Sequence, residues 1–335
     1  MSSSTFDLDE RRLENEVRRR NARIVLLQLP EGLKPYGPKL VAVVEGAGAI
    51  GIVSGDPCYG ACDLALVEAE RLGADLIVHY GHNEMLKQTA HSAIYLEARA
   101  KVSVARAVEK AVPLLEKWTR IGLATTVQHV HKLEEARKVL VDAGKSVAIG
   151  DAGRLTYAGQ VYGCDYSNAK AVAEDVDAFL FVGGGKFHAL GLALAVAKPT
   201  IVADPYEKRA YTVEKEAARM LRTRWASIHK TTQAVRVGIL IGLKPGQKRL
   251  DRALEMKRLV EQSGKQATLL ALKEITSEAL MQFPTMEAFI NTACPRLSLD
   301  RWEEVDKPLL TPDEALVALG KLQWEELCRK GWFEN

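Results

Sequence analysis

Apolar residues along the chain fall into short β-branched and leucine-rich runs, each followed by a polar turn and then a stretch of helical periodicity. This order of events recurs three times. The opening runs at 24–29, 121–127 and 237–243 predict strands. The stretches LPEGLKPYGPKLVAVVEG, QHVHKLEEARKVLVDAGK and KPGQKRLDRALEMKRLVEQSGK follow them and predict helices. Each helix is expected to stop near a glycine: Gly46 or Gly48, Gly144, and Gly264. A second strand comes next in every case: AIGIV, SVAIG and ATLLAL.

The first two segments also match through their cysteines. CDLALVEAERLGADLIV from Cys62 aligns without a gap on CDYSNAKAVAEDVDAFL from Cys164, placing Asp75 over Asp177, each opening an apolar strand. The third segment is less regular, with Cys294 just after its last apolar run, AFINTA. A period of about 100 residues is too long for a solenoid and indicates a triplicated domain. The expected fold is α/β: three related parallel-sheet units, 1–105, 106–210 and 211–335, in pseudo-threefold arrangement around a central cluster site. Ligands of such sheets gather beyond the carboxyl ends of the strands, where all three cysteine loops are predicted to lie.

Composition narrows the class of function. With 335 residues, 47% hydrophobic and 27% charged, the chain has an ordinary globular make-up. Its formal charge of +3 gives no case for direct nucleic-acid binding. The Arg-rich stretch at 10–23 alternates in sign and reads as a solvated helix. No apolar run approaches the roughly 20 residues of a membrane span, and the charged N-terminus lacks a signal-peptide core, so a cytoplasmic location is expected. Five cysteines form no disulfide framework in that setting.

Cys62 and Cys164 lie in loops among Gly, Asp and Tyr, and Cys294 precedes Pro295, so the three are candidate metal ligands. Cys58 lacks a counterpart in the second segment, which favours Cys62 as the ligand of the pair; Cys328, in an amphipathic C-terminal stretch, reads as core or surface. Three thiolates suit zinc with a further ligand such as His82, or a [4Fe–4S] cluster with one iron left open to a substrate. Polar clusters at other strand ends complete the picture: Gly81-His82-Asn83, Gln128-His129, Gly183-Gly184-Gly185 with His188, Asp204-Pro205-Tyr206, and Lys244-Pro245-Gly246-Gln247. A Gly run opening a helix beside Lys or His offers amides to a carboxylate or phosphate, although neither a P-loop nor a GxGxxG is present.

Together DPCYGACDLA, TTVQHVHKLEEA, GQVYGCDYSNAK, VGGGKFHALGLALA, ADPY, LKPGQ and TACPRLSLD resemble the archaeal diphthamide-synthesis family, the 2-(3-amino-3-carboxypropyl)histidine synthases, over almost the whole chain. The resemblance implies a homodimer with a [4Fe–4S] cluster on three cysteines, matching Cys62, Cys164 and Cys294. It implies non-canonical radical chemistry on S-adenosylmethionine: an electron donor reduces the cluster, the bond from sulfur to the methionine γ-carbon breaks, and methylthioadenosine leaves. The 3-amino-3-carboxypropyl group then joins the imidazole C2 of a histidine in translation elongation factor 2. On that basis Gln128, His129, Lys244, Gly246 and Gln247 are candidates for the methionine or ribose groups, and Gly183, Gly184, Gly185 and His188 for the adenosine side. Two other readings carry the same cysteines: a quinolinate-synthase-like [4Fe–4S] dehydratase without an adenosyl substrate, and a non-catalytic cluster-bearing partner subunit.

Overall fold

The computed structural model describes residues 5–86, 91–299 and 306–333; Asp300, the last residue of the TACPRLSLD stretch, lies outside them. Besides a two-stranded antiparallel pair, Phe6–Asp7 with Arg99–Ala100, its strands form three mainly parallel sheets. The first contains β1 (Ile24–Gln28), β2 (Ile50–Val53), β3 (Leu76–Tyr80) and β4 (Ala93–Leu96) in the spatial order β2-β1-β3-β4. The second contains β5 (Arg120–Thr125), β6 (Ser146–Ala148), β7 (Ala178–Val182), β8 (Thr200–Asp204) and β9 (Arg209–Thr212) in the order β9-β8-β7-β5-β6, with β9 antiparallel at the edge. The third contains β10 (Arg236–Gly242), β11 (Gln266–Leu272), β12 (Ala288–Asn291) and β13 (Leu309–Leu310) in the order β11-β10-β12-β13. The first strand of each segment therefore lies between its second and third, so every chain reversal needs a crossover. The central strands are apolar on both faces, as helix-covered parallel sheets require: Val25, Leu26 and Leu27 are buried in β1, Ile239 and Leu240 in β10.

The crossover helices are Gly37–Gly46, Leu133–Asp142 and Leu250–Gln262. Gly48, Gly144 and Gly264 follow them at φ of 95°, 77° and 79°, the left-handed conformation that ends a helix at least cost in glycine. Of the two candidates in the first segment, Gly48 is the stop, and Gly46 is still helical. The N-terminal helix Glu10–Arg20 ends at Asn21, short of 23, and is only partly solvated, since Leu13 and Val17 are buried. Strand β5 stops at Thr125, short of 127, where Thr125 N–H donates to Gly159 O at 2.8 Å and the residue bridges to Gln160.

A shared brace confirms the repeat and fixes the register of its third copy. Asp75 accepts from the amides of Arg23 (2.8 Å) and Ile24 (2.9 Å) at the start of β1, and its own N–H donates to Ile24 O at 2.9 Å. Asp177 accepts from Arg120 N at 2.9 Å and donates to Arg120 O at 2.8 Å. Glu287 takes this role in the third segment, accepting from Arg236 N at 3.1 Å and donating to Arg236 O at 2.9 Å.

By compactness the chain divides in two: 1–102 with 127–131 and 244–246, and the remainder. The first unit holds the first sheet, and the second holds the other two, which share an apolar core that includes Phe179, Phe181, Ile239, Ile290, Trp332 and Phe333. Among the described residues no helix is long and apolar enough to cross a membrane.

Candidate active site

Within the first unit, the Cys62 loop is held from two sides. Gln28, buried at the end of β1, donates from Nε2 to Asp63 O and accepts at Oε1 from Ala65 N at 3.1 Å. From the other side, Lys244 Nζ pairs with Asp63 Oδ2 at 2.9 Å and lies 3.9 Å from the centroid of the Tyr59 ring. Gly246 N–H donates to Cys62 O at 2.8 Å, and a Cβ at Gly246 would stand 2.6 Å from Cys62 Cα, so only glycine admits this approach. Lys244 and Gly246 thus act on the cysteine loop itself. Gln128 Nε2 donates to Gly81 O at 2.9 Å and the main-chain carbonyl of Gln128 accepts from Ala100 N at 2.9 Å; His129 is buried.

The same unit brings together residues that the spacing of the sequence does not. His79 of β3 is buried, with Nδ1 2.9 Å from Gln28 Oε1 and Nε2 2.9 Å from His82 Nδ1. The two backbone partners of Gln28 fix its amide orientation, so its oxygen faces His79 and the His79 proton must sit on Nδ1. Burial holds His79 well below the usual imidazole range and brings His82 down to about 4, so both rings are neutral, and His82 Nδ1–H donates to His79 Nε2. Cys58 is buried beside them, and burial, with Asp63 and Glu31 next in effect, pushes its thiol up to about 12. An inert thiol and an accessible one are therefore four residues apart, because Cys62 is partly exposed.

Within the second unit, Cys164 lines one cavity with Ala293 and Pro295, the neighbours of Cys294, and with Arg249, Asn291, Asp313 and Trp332. Asn291, at the end of β12, donates from Nδ2 to Cys294 O at 2.6 Å and accepts from Ala293 N at 2.9 Å, holding its cysteine loop much as Gln28 holds the loop of Cys62. Gly163 sits so close to Phe187 that a Cβ would meet the ring at 2.6 Å, and the Arg296 guanidinium stacks on that ring at 3.7 Å. The far wall is braced by Glu314, fully buried, which receives Arg224 Nε and Nη2 at 2.7 Å each, Trp332 Nε1 at 2.7 Å and Thr311 N at 2.8 Å.

The Gly run lies at the end of β7, ahead of helix Phe187–Val196, as its composition suggests. Gly185 N–H is already bonded to Asp204 Oδ2 at 3.1 Å, a Cβ at Gly184 would meet the Tyr206 ring at 3.0 Å, and His188 stacks on Phe181 with centroids 6.0 Å apart. Gln247 is buried next to Gly242. Gln28 and Asn291 were not among the residues singled out from the sequence. Their signal was a lone polar side chain closing an apolar strand immediately before a cysteine loop or a proline.

The brace register sharpens the relation among the cysteines. Cys62 and Cys164 each stand thirteen residues before their carboxylate, whereas Cys294 stands seven after Glu287, the offset that His82 has from Asp75 and Gly184 from Asp177. Two cysteines thus belong to one loop of the repeat and the third to another.

The family described as "Putative diphthamide synthesis protein" matches residues 29–328. The chain belongs to this family. It is 38% identical over 307 residues to the 2-(3-amino-3-carboxypropyl)histidine synthase of Pyrococcus horikoshii, covering 91% of this chain and 88% of that one. It is 31% identical over 319 residues to 2-(3-amino-3-carboxypropyl)histidine synthase subunit 1 of Gallus gallus, covering 92% and 76%. The crystal structure of Dph2 from Pyrococcus horikoshii with a 4Fe-4S cluster superposes with a TM-score of 0.86 at 36% identity, over 95% of this chain and 92% of that one. These likenesses span all three cysteine loops.

Proposed function

We propose that the chain catalyses the first step of diphthamide synthesis, transferring the 3-amino-3-carboxypropyl group of S-adenosylmethionine to the imidazole C2 of a histidine in translation elongation factor 2 and releasing methylthioadenosine. The observation that carries this reading is the convergence of Cys164 and the Cys294 loop on one cavity in a member of the diphthamide-synthesis family. Cys62, Cys164 and Cys294 would hold a [4Fe–4S] cluster. They suit it as soft sulfur donors, partly exposed, on loops clamped by Gln28, Lys244 and Asn291, whereas Cys58 is buried. When bound, the cluster supplies the electron that breaks the sulfur–Cγ bond of the substrate.

The chain's own residues supply position. Arg249 and Asp313, the latter already paired with Arg252 and Lys330, put both charges around the cavity of Cys164, whereas Asn291 belongs with the supports of the Cys294 loop. Gln128, His129, Gly246, Gln247 and His188, with Gly183, Gly184 and Gly185, complete the proposed substrate contacts. Lys244 belongs with the supports of Cys62, because Asp63 occupies its ammonium. The segments 1–105, 106–210 and 211–335 are the proposed repeat units, each carrying one of the three cysteines. A homodimer, radical use of S-adenosylmethionine, an external electron donor and a cytoplasmic location complete the reading.

The test is anaerobic incubation of the reconstituted protein with dithionite, S-adenosylmethionine and elongation factor 2. Methylthioadenosine release together with a modified histidine is expected; release of neither would overturn the proposal. Turnover by this chain alone also separates it from a non-catalytic partner subunit.

A further inference from the structure

We propose that Cys58, His79 and His82 form a second metal site, mononuclear and specific for a thiophilic divalent cation of the zinc type, separate from the three cluster cysteines. The juxtaposition is geometric: one ligand atom from each of the three residues lies within 4.8 Å of the other two. All three belong to the first unit, with Cys58 and His79 buried and His82 half-buried.

Tetrahedral zinc, with bonds of about 2.05 Å to nitrogen and about 2.3 Å to sulfur, sets its ligand nitrogens about 3.3 Å apart and a nitrogen and sulfur about 3.6 Å apart. His79 Nε2 and His82 Nδ1 stand at 2.9 Å, sharing one proton, so a spread of a few tenths of an ångström would admit the ion. The outer partner of the site is already in place. A metal-bound imidazole characteristically donates its other N–H to a fixed oxygen, and His79 Nδ1 does so to Gln28 Oε1, itself locked by the Ala65 amide.

The charge and proton balance is simple. Cys58 loses its thiol proton to solvent, and the proton on His82 Nδ1 is replaced by one on Nε2, so one proton is released per cation bound. The carboxylate of Glu31, which accepts Cys58 N–H at 3.2 Å, adds negative charge beside the site. Of the causes that keep the empty thiol protonated, burial is the largest, and the smaller ones, the carboxylates of Asp63 and Glu31, are those that favour a cation. Three protein ligands leave a fourth position for water or an exogenous group. In the second segment Gln160 stands where Cys58 does, so the repeat does not duplicate this site.

The experiment uses cluster-loaded protein, washed with chelator and then given one equivalent of Zn²⁺, with zinc and iron quantified by mass spectrometry and the zinc environment read by X-ray absorption. The expected result is one zinc per chain with one sulfur and two nitrogen neighbours. Cys58→Ser and His82→Gln should lose the zinc with iron content unchanged, and Gln28→Leu should weaken its retention roughly 10- to 100-fold. Retention of zinc by Cys58→Ser, a three-sulfur zinc environment, or no zinc retained by the wild type would each overturn the proposal. Because iron is counted separately, loss of the cluster reading and loss of the zinc reading are told apart.

Discussion

Replacing Lys244 with Met should loosen the Cys62 loop without touching a cysteine. The ammonium lies 2.9 Å from Asp63 Oδ2, with side-chain exposures of 5% and 15%. Truncating one partner of a buried pair typically costs 3–5 kcal/mol, and the residual access of water to Asp63 brings the expectation to about 3 kcal/mol. The contact of the ammonium with the Tyr59 ring is lost with it and is counted within that figure. This cost falls on the ordering of a loop rather than on an apolar core, so it should appear as weaker hold on iron. About 3 kcal/mol corresponds to roughly a hundredfold. The assay is transfer of iron from the reconstituted protein to a competing chelator under anaerobic conditions. Lys244→Met should release iron about a hundred times more readily. Asp63→Asn combined with Lys244→Met should recover part of the loss, since no charge is then left unpaired. Wild-type iron retention in Lys244→Met would refute the view that this pair holds the cysteine loop.

Other outcomes follow from the same geometry. Gly246→Ala, whose Cβ would stand 2.6 Å from Cys62 Cα and 2.7 Å from its Cβ, must displace backbone and should lower iron content and methylthioadenosine release together. Arg224→Met leaves Glu314 buried without its bidentate partner and should destabilise the second unit by about 3–5 kcal/mol, read as a lowered denaturant midpoint. The braces predict acid sensitivity. Amide hydrogen bonds, Ile24 foremost, hold Asp75 below the usual carboxylate range; the Arg120 guanidinium does the same for Asp177, and the Val235 amide for Glu287. A carboxylate depressed on folding stabilises fully above its unfolded value of about 4, and that contribution is lost as pH falls through the lower folded value. Stability differences between the wild type and Asp177→Asn should therefore be present at neutral pH and vanish in strong acid, as followed by circular dichroism.

Local chemistry made much of the fold legible in the sequence. The β-branched runs, the left-handed glycine stops and the Asp75/Asp177 alignment each depend on residues near one another in the chain, and each has its counterpart in the structure. Glu287 escaped because a longer carboxylate performs the same bracing in the third segment, so identity is lost while the hydrogen bonds persist. Cys294 could not be placed by repeat alignment for a different reason: it occupies the loop that carries His82 in the first segment. The Lys244–Asp63 pair and the meeting of Cys58 with His79 arise from tertiary packing, over separations that no periodicity records. Lys244, a cation at a strand end, meets a carboxylate beside the cysteine, a contact that its position in the sequence does not reveal.

The central claim is that three particular cysteines hold one cluster, and iron with labile sulfide in the five single Cys→Ser variants tests it most directly. After anaerobic reconstitution, the wild type, Cys58→Ser and Cys328→Ser should each hold about four irons and four sulfides per chain, whereas Cys62→Ser, Cys164→Ser and Cys294→Ser should not hold an intact cluster. Full iron and sulfide in any of those last three, or their loss in Cys58→Ser, would contradict the account.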